Sequence, residues 1–172
     1  MPVLTLLRHA KSDWADPARP DAERPLNARG ARAAQAIGRY MADEALGFDR
    51  VLASPAQRVR ETIAGVESAL GRTLGAREEP RIYLATTDEL IELVREQAGV
   101  ERLLLVGHSP GLEGLALRMS GPGALRQELA IKYPTAALAE LTFEEGLEAA
   151  ARAVLTRFVR PRDLDAGLGP ED

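Results

Sequence analysis

Short apolar runs alternate with amphipathic segments along most of the chain. Residues 3–7 and 102–106 are apolar with almost no alternation, which is typical of parallel strands that are covered on both faces. A shorter run at 49–55 predicts another strand. Residues 81–84 predict a weak strand between the runs at 49–55 and 102–106. A segment of helical periodicity follows each run. This order of strand and helix predicts right-handed crossovers and a mostly parallel sheet.

The predicted helices have recognisable start and stop signals. Asn27 is the expected N-cap of the first helix. Apolar residues at spacings of four, three and four predict the second helix, with Gly71 at its C-terminal cap. Thr86 and Glu89 have the spacing of a capping box that opens a third helix. A fourth helix is predicted to begin at residue 110 or 111.

The pattern changes after residue 123. Residues 136–143 and 151–158 predict an antiparallel hairpin, and residues 161–172, rich in Gly, Pro and Asp, predict an irregular C-terminal tail. We therefore expect one domain over residues 1–160 followed by that tail. The predicted fold is a three-layer α/β architecture with a mostly parallel central sheet and helices on both faces.

Composition narrows the class of protein. The net charge of -4 arises from 22 basic and 26 acidic residues that are well mixed, so we expect neither nucleic acid nor a membrane as a partner. The chain has no cysteine and two histidines, which predicts no metal site and no cofactor. The first apolar run is too short to span a bilayer. These features predict a cytoplasmic protein, and we expect a monomer because no long apolar stripe is left over.

Chemically versatile side chains follow three of the predicted strands. Arg8 and His9 end the first strand, Arg58 lies on the first turn of the helix after the second, and His108 ends the strand at 102–106. Because parallel strands open their carboxyl ends at one edge of a sheet, these groups are expected to converge. Two guanidiniums match phosphate oxygens, and a neutral imidazole is a competent nucleophile towards phosphorus. The pattern predicts a phosphoryl-transfer site.

Four motifs resemble those of the histidine phosphatase (phosphoglycerate mutase-like) superfamily and stand in that family's order between residue 3 and about residue 112. They are Arg8-His9-Ala10, Arg24-Pro25-Leu26-Asn27-x-Arg29-Gly30, Ser54-Pro55-x-x-Arg58-x-x-x-Thr62 and Val106-Gly107-His108. The resemblance implies a phosphoglycerate mutase-like fold. It also implies that His9 is the phosphorylated nucleophile and that Arg8, Arg58 and His108 bind phosphate, and Ser12 is a further candidate ligand.

The short chain, the R-H-A-K opening and the R-P-L-N-x-R-G segment look most like the small phosphohistidine phosphatases related to SixA. That resemblance implies a metal-independent hydrolase acting on a phosphocarrier or phosphorelay protein, with a small phosphate ester as the alternative substrate. Residues 8–15 are also similar to the mutase opening R-H-G-E-S-x-W-N, but Ala10 and Ala15 replace its glycine and asparagine. The mutase glutamate comes from an insertion after the third strand. Residues 84–90 are too few for it and offer only Asp88 and Glu89 as candidate proton donors.

The lack of a dedicated general acid favours one kind of leaving group over another. An alkoxide leaving group needs a general acid, whereas an imidazole can depart neutral after protonation on its distal nitrogen. A site without that acid therefore suits cleavage of a P–N bond.

Two alternative functions belong to other classes of protein. Residues 107–111 satisfy G-x-S-x-G, the nucleophile elbow of serine α/β-hydrolases, which would make Ser109 the nucleophile. In that fold the histidine follows the serine along the chain, and no histidine follows His108. The non-enzymatic alternative is a phosphate-binding module without catalysis, and the presence of both histidines and both arginines argues against it.

Overall fold

A six-stranded sheet forms the middle layer of the computed structural model, which describes residues 1–169. The strands are β1 (Val3–Arg8), β2 (Arg50–Ala53), β3 (Arg77–Glu78), β4 (Arg102–Gly107), β5 (Leu138–Phe143) and β6 (Ala153–Val159). Their order across the sheet is β3-β2-β4-β1-β5-β6. β1 to β4 run parallel, and β5 is antiparallel to both β1 and β6. The predicted mostly parallel sheet and the predicted hairpin are both confirmed.

Helices cover both faces of this sheet. They are α1 (Ala28–Asp43), α2 (Gln57–Leu70), α3 (Thr87–Arg95), α4 (Gly111–Met119), α5 (Ala124–Ile131) and α6 (Pro161–Leu164). α1 and α2 contribute to the hydrophobic cluster on one face, and α3, α4 and α5 contribute to the cluster on the other. The three-layer α/β prediction is confirmed.

The central strand β4 shows why its sequence lacks alternation. Leu103 and Leu105 belong to one hydrophobic cluster, whereas Leu104 and Val106 belong to the other. Successive side chains of a strand point to opposite faces, so a strand covered on both sides needs apolar residues at every position. All four side chains are fully buried.

The predicted helix caps are confirmed. The Asn27 side chain accepts a hydrogen bond from the backbone N–H of Gly30 at 2.8 Å, which starts α1. Gly71 ends α2 with a φ of 79°, in the left-handed region that glycine adopts without steric cost. Thr86 and Glu89 form both hydrogen bonds of the capping box at the start of α3.

The strand predicted at residues 81–84 is wrong. The third strand is β3, and it is followed by a 3-10 helix at Pro80–Ile82. Pro80 has no N–H to donate to a neighbouring strand, so pairing stops before it. Ile82 is buried in the core and anchors this turn. The following residue, Tyr83, is thereby placed beside the carboxyl edge of the sheet.

Two features of the C-terminal third differ from the predictions. α5 was not predicted, because it has a single buried residue, Leu129, and leaves Ile131 exposed. The segment predicted as an irregular tail contains α6 and a 3-10 turn at Ala166–Leu168. It is ordered because Leu168 packs against the cluster under α1 and Asp165 pairs with Arg32. Residues 170–172 lie outside the described residues, and the domain boundary after residue 160 stays a prediction.

Within residues 1–169, no helix has both the length and the apolar character needed to cross a membrane. The cytoplasmic location and the monomeric state stay predictions.

Candidate active site

Strand register brings the two histidines of the chain side by side. Arg8 at the end of β1 is level with Gly107 at the end of β4, so His9 and His108 are the next residues on adjacent parallel strands. The backbone N–H of His9 donates to the Gly107 carbonyl at 2.9 Å and extends the ladder. The ring centroids lie 5.2 Å apart, with 53° between the ring planes. A phosphoryl group bound at this edge of the sheet would have an imidazole on each side.

The hydrogen bond of His9 determines which ring nitrogen is free. Nδ1 lies 2.7 Å from the Ala10 carbonyl oxygen, and a carbonyl only accepts, so Nδ1 carries the proton. Nε2 therefore keeps its lone pair. Burial lowers the pKa of His9 to about 3, and His108 and the two nearby guanidiniums add to this shift against the opposing effect of the Ala10 hydrogen bond. His9 is neutral at neutral pH, as a nucleophile towards phosphorus must be.

His108 has the opposite tautomer. Its Nδ1 lies 3.3 Å from Nη2 of Arg58, and because a guanidinium only donates, Nδ1 is the acceptor. Nε2 then carries the proton and donates it to Ser54 Oγ at 2.8 Å. Burial, followed by the charge of Arg58, lowers the pKa of His108 to about 4. The ring is neutral, and it is held in one orientation by two partners.

These contacts do not support a serine hydrolase. Ser54 Oγ accepts a hydrogen bond from His108 Nε2–H and does not donate one to it, so the imidazole is not placed as a base for this hydroxyl. Ser109, the residue of the nucleophile-elbow reading, has a buried Oγ that makes no hydrogen bond to any residue in the range 1–169.

Arg58 is presented by the start of α2. It is the second residue of that helix, and its side chain is buried. Its Nη1 donates to the Asp21 carbonyl oxygen at 2.8 Å, and its Nη2 lies 3.1 Å from Asp21 Oδ2. Ser54 Oγ accepts the Ala56 N–H at 3.2 Å and restrains the turn between β2 and α2. The guanidinium is therefore fixed against His108 before any substrate arrives.

Arg8 completes the cationic part of the site. Its Nη1 donates to the Tyr133 carbonyl oxygen at 2.8 Å. The charges of Arg8 and Arg58 each lower the pKa of both His9 and His108. Side chains from three separate parts of the sequence thus act on one another electrostatically, which places them in one cluster.

A buried hydroxyl ties the strand that carries His9 to the helix that carries Arg58. Thr62 Oγ1 accepts the backbone N–H of Ala10 at 2.9 Å and donates to the Arg58 carbonyl oxygen at 2.7 Å. Thr62 is fully buried. The threonine of the Ser54-to-Thr62 motif thereby links the predicted nucleophile, His9, to the predicted phosphate ligand, Arg58.

The other predicted site residues lie elsewhere. Ser12 is buried, and its backbone bridges to Leu26 and accepts from the Asn27 side chain. Asp88 is exposed and pairs with Arg118, and Glu89 caps α3 through the Thr86 N–H. No contact described for these carboxylates involves His9, His108 or Arg58. The role of Ser12 as a phosphate ligand stays a prediction, and the geometry does not support Asp88 or Glu89 as the proton donor.

The structure instead places a carboxylate and a phenol from unpredicted positions at the site. Asp21 lies in a 3-10 turn at Asp21–Glu23, within the loop that joins β1 to α1, and Tyr83 lies after the turn that contains Ile82. The Tyr83 hydroxyl donates to Asp21 Oδ2 at 2.5 Å, and the Tyr83 ring stands edge-on to His108 at 5.6 Å. Neither residue is part of a periodic apolar pattern. For Asp21 the signal was the length of the β1–α1 loop, since long loops in compact domains tend to be functional.

The arrangement has the chemical groups needed to bind and attack a phosphoryl group. Two guanidiniums offer N–H groups to its oxygens, and His9 Nε2 offers a lone pair to its phosphorus. No group of three or more His, Cys, Asp or Glu side chains that could hold a metal ion occurs among the residues described.

The chain is similar to known proteins in both sequence and structure. The model of the histidine phosphatase superfamily (branch 1) matches residues 4–83. An uncharacterised protein of Mycobacterium tuberculosis is 34% identical over 140 residues, which covers 78% of this chain and 85% of that protein. A structure from Agrobacterium tumefaciens, provisionally assigned as the phosphohistidine phosphatase SixA, is 32% identical with a TM-score of 0.81 and covers 93% of this chain and 98% of its own.

A second solved structure supports the fold. The protein histidine phosphatase SixA in complex with tungstate has a TM-score of 0.79 at 20% identity, over 95% of this chain and 99% of its own. With these matches, the predicted phosphoglycerate mutase-like fold is confirmed.

Proposed function

The chain belongs to the histidine phosphatase superfamily, in its SixA-like branch, and we propose that it hydrolyses phosphohistidine on a protein substrate through a phosphorylated His9. The observation that carries this proposal is the fixed tautomer of His9. Its Nδ1–H is committed to the Ala10 carbonyl, so Nε2 keeps its lone pair, in a ring whose centroid lies 5.2 Å from that of His108.

The reaction has two steps. In the first, His9 Nε2 attacks phosphorus, a new P–N bond forms, and the bond between phosphorus and the substrate breaks. In the second, water attacks the phosphorylated His9, inorganic phosphate leaves, and Nε2 recovers its electron pair. Arg8 and Arg58 neutralise the charge on the phosphoryl oxygens in both transition states, and His108 lines the pocket beside the phosphoryl group. All of the protein side chains in this mechanism belong to this chain.

The choice of a P–N substrate rests on the acids that the site lacks. Asp88 and Glu89 are engaged at the start of α3, on the surface of the domain. The hydrogen bond from Tyr83 and, after it, the charge of Arg58 lower the pKa of Asp21 below its ordinary value, so this carboxyl is ionised and cannot donate a proton at neutral pH. An alkoxide would leave such a site unprotonated and slowly, whereas an imidazole protonated on its distal nitrogen leaves as a neutral molecule.

The test compares two substrate classes under the same conditions. The purified protein is given a carrier protein phosphorylated on histidine, and separately sugar phosphates and phosphoglycerate, with a metal chelator present. We expect kcat/KM on the phosphohistidine protein to exceed that on the esters by at least about 100-fold, the scale of one general-acid contribution. A preference for a small phosphate ester would make the chain a phosphomonoesterase of the same fold, and interconversion of phosphoglycerates would make it a mutase.

A further inference from the structure

We propose that the Asp21 carboxylate recognises the leaving imidazole of the substrate by accepting a hydrogen bond from its distal ring N–H. This inference rests on the proposed function, because only a phosphohistidine substrate carries that N–H group. It assigns a substrate-recognition role to a residue that none of the sequence motifs includes.

The Asp21 carboxylate is held in place by hydrogen bonds to one of its oxygens, Oδ2. Oδ2 accepts from the Tyr83 hydroxyl at 2.5 Å and lies 3.1 Å from Arg58 Nη2. Oδ1 lies 3.9 Å from Nε of Arg24, an ion-pair distance that is too long for a hydrogen bond. One oxygen therefore fixes the group, and the other keeps capacity to accept a further donor.

The position of Asp21 matches the side on which the leaving group must stand. His9 attacks from the interior, where only 8% of its surface is exposed, whereas 46% of the Asp21 side chain is exposed. The attacking and leaving atoms lie roughly in line through phosphorus. The leaving imidazole therefore faces outwards, towards the rim formed by the loop that carries Asp21.

A negative charge at this position acts in opposite directions on two kinds of substrate. The phosphohistidine enters protonated on the distal nitrogen, and Asp21 stabilises that cation. When His9 Nε2 forms its bond to phosphorus, the electron pair of the breaking P–N bond goes to the substrate nitrogen. The imidazole leaves neutral, with its distal N–H still directed at the carboxylate. An ester offers no such N–H, and the fixed charge opposes the negative charge that develops on its leaving oxygen.

The discriminating experiment measures Asp21→Asn on both substrates. The change is isosteric and removes the charge, and Glu23→Gln in the same 3-10 turn is the matched control. We expect kcat/KM for the phosphohistidine protein to fall about 10- to 100-fold, the scale of a hydrogen bond to a charged group. Because Asp21 also contacts Arg58, turnover of p-nitrophenyl phosphate is expected to fall as well, but by a factor at least about 10-fold smaller than the loss on the phosphohistidine protein. Glu23→Gln should leave both rates at the level of the unmodified protein.

Two other results would overturn the inference, and they differ from each other. A parallel loss on both substrates in Asp21→Asn would mean that Asp21 only braces Arg58. An unmodified protein that turns over p-nitrophenyl phosphate but no phosphohistidine would remove the proposed function, and the inference with it. Asp21→Ala repeats the test with the side chain removed, and it must show the same divergence between the two substrates.

Discussion

Arg58 donates a hydrogen bond to Nδ1 of His108 and thereby places the His108 proton on Nε2, which donates a hydrogen bond to Ser54. The arginine that we propose as a phosphate ligand is therefore also the group that sets the tautomer of the second histidine. Asp21 holds the other edge of the same guanidinium. A row of four side chains from three separate segments thus determines the charge and orientation of one wall of the pocket.

This arrangement predicts that Arg58 cannot be replaced by lysine. An ammonium is a single point charge and cannot contact Asp21, His108 and a phosphoryl oxygen together as a planar guanidinium does. We expect Arg58→Lys to lower kcat/KM on p-nitrophenyl phosphate by about 100-fold or more. The matched control is Arg60→Lys on the same helix, since Arg60 is exposed and pairs with Glu78. Equal losses in the two variants would contradict the role given to Arg58.

The nucleophile can be tested directly. Rapid acid-free denaturation during turnover of radiolabelled p-nitrophenyl phosphate should trap label on the protein, in a form that is stable to alkali and lost in acid. We expect His9→Ala to carry no such label and to lose activity by at least about 1,000-fold, as expected when a covalent route is removed. His108→Ala keeps the nucleophile and should still acquire label at a reduced rate. Label retained on His9→Ala would transfer the nucleophilic role to another residue.

Much of this site was predictable because the sequence motifs lie at the ends of strands, and the sheet determines where those ends are. Arg8, His9 and His108 end apolar runs that can only be central strands, and parallel strands end at one edge. The same reasoning placed Arg58 at the start of the following helix. The apolar pattern therefore predicts the positions of those site residues that are placed by the backbone of a strand or a helix.

Asp21 and Tyr83 were missed for a physical reason. Each reaches the site from an irregular segment, and its position depends on hydrogen bonds and turns that no periodicity encodes. The β1–α1 loop is fixed by contacts far apart in sequence, such as Arg58 to the Asp21 carbonyl. The error at residues 81–84 has the same origin, since a 3-10 turn with a buried Ile82 resembles a short apolar strand in the sequence.

The hydroxyl of Thr62 provides a test of how the two halves of the site are joined. Thr62→Val keeps the shape of the side chain but leaves the Ala10 N–H without its acceptor in a buried position. We expect the free energy of unfolding to fall by about 1–3 kcal/mol and kcat to fall with it, because the strand end that carries His9 loses its tie to α2. Thr62→Ser retains the hydroxyl and should restore most of both. Denaturant unfolding and steady-state turnover measure the two effects. Full activity and stability in Thr62→Val would show that the tie is dispensable.

The neutral histidines predict a loss of stability in mild acid. The pKa values of His9 and His108 are about 3 and 4 in the folded protein, against 6.5 for an unperturbed imidazole. Below pH 6.5 the unfolded chain binds two protons that the folded protein does not, so the free energy of unfolding decreases as the pH falls. Above pH 6.5 this contribution is constant.

Denaturant unfolding at pH 7.5, 6 and 5 measures the effect in a range above the ordinary carboxylate pKa values. We expect a steady decrease from pH 7.5 to pH 5 in the unmodified protein. The double variant His9→Asn, His108→Asn should show a nearly flat profile in the same range. An equally steep profile in the double variant would assign the acid sensitivity to other groups.

The close approach of α1 to the active-site loop predicts that Gly30 cannot carry a side chain. A Cβ at this position would lie 2.2 Å from the Lys11 carbonyl oxygen and 2.9 Å from the Lys11 nitrogen, both of them backbone atoms. Because Lys11 is two residues after His9, the clash would displace the chain that leads out of the site. We expect Gly30→Ala to cost about 1–3 kcal/mol of stability, in the range of an overpacked site, and to lower kcat. Gly47→Ala is the matched control, since a Cβ there meets no atom within 4 Å, and a Gly30→Ala protein as stable and active as this control would show that the loop can move aside without affecting His9.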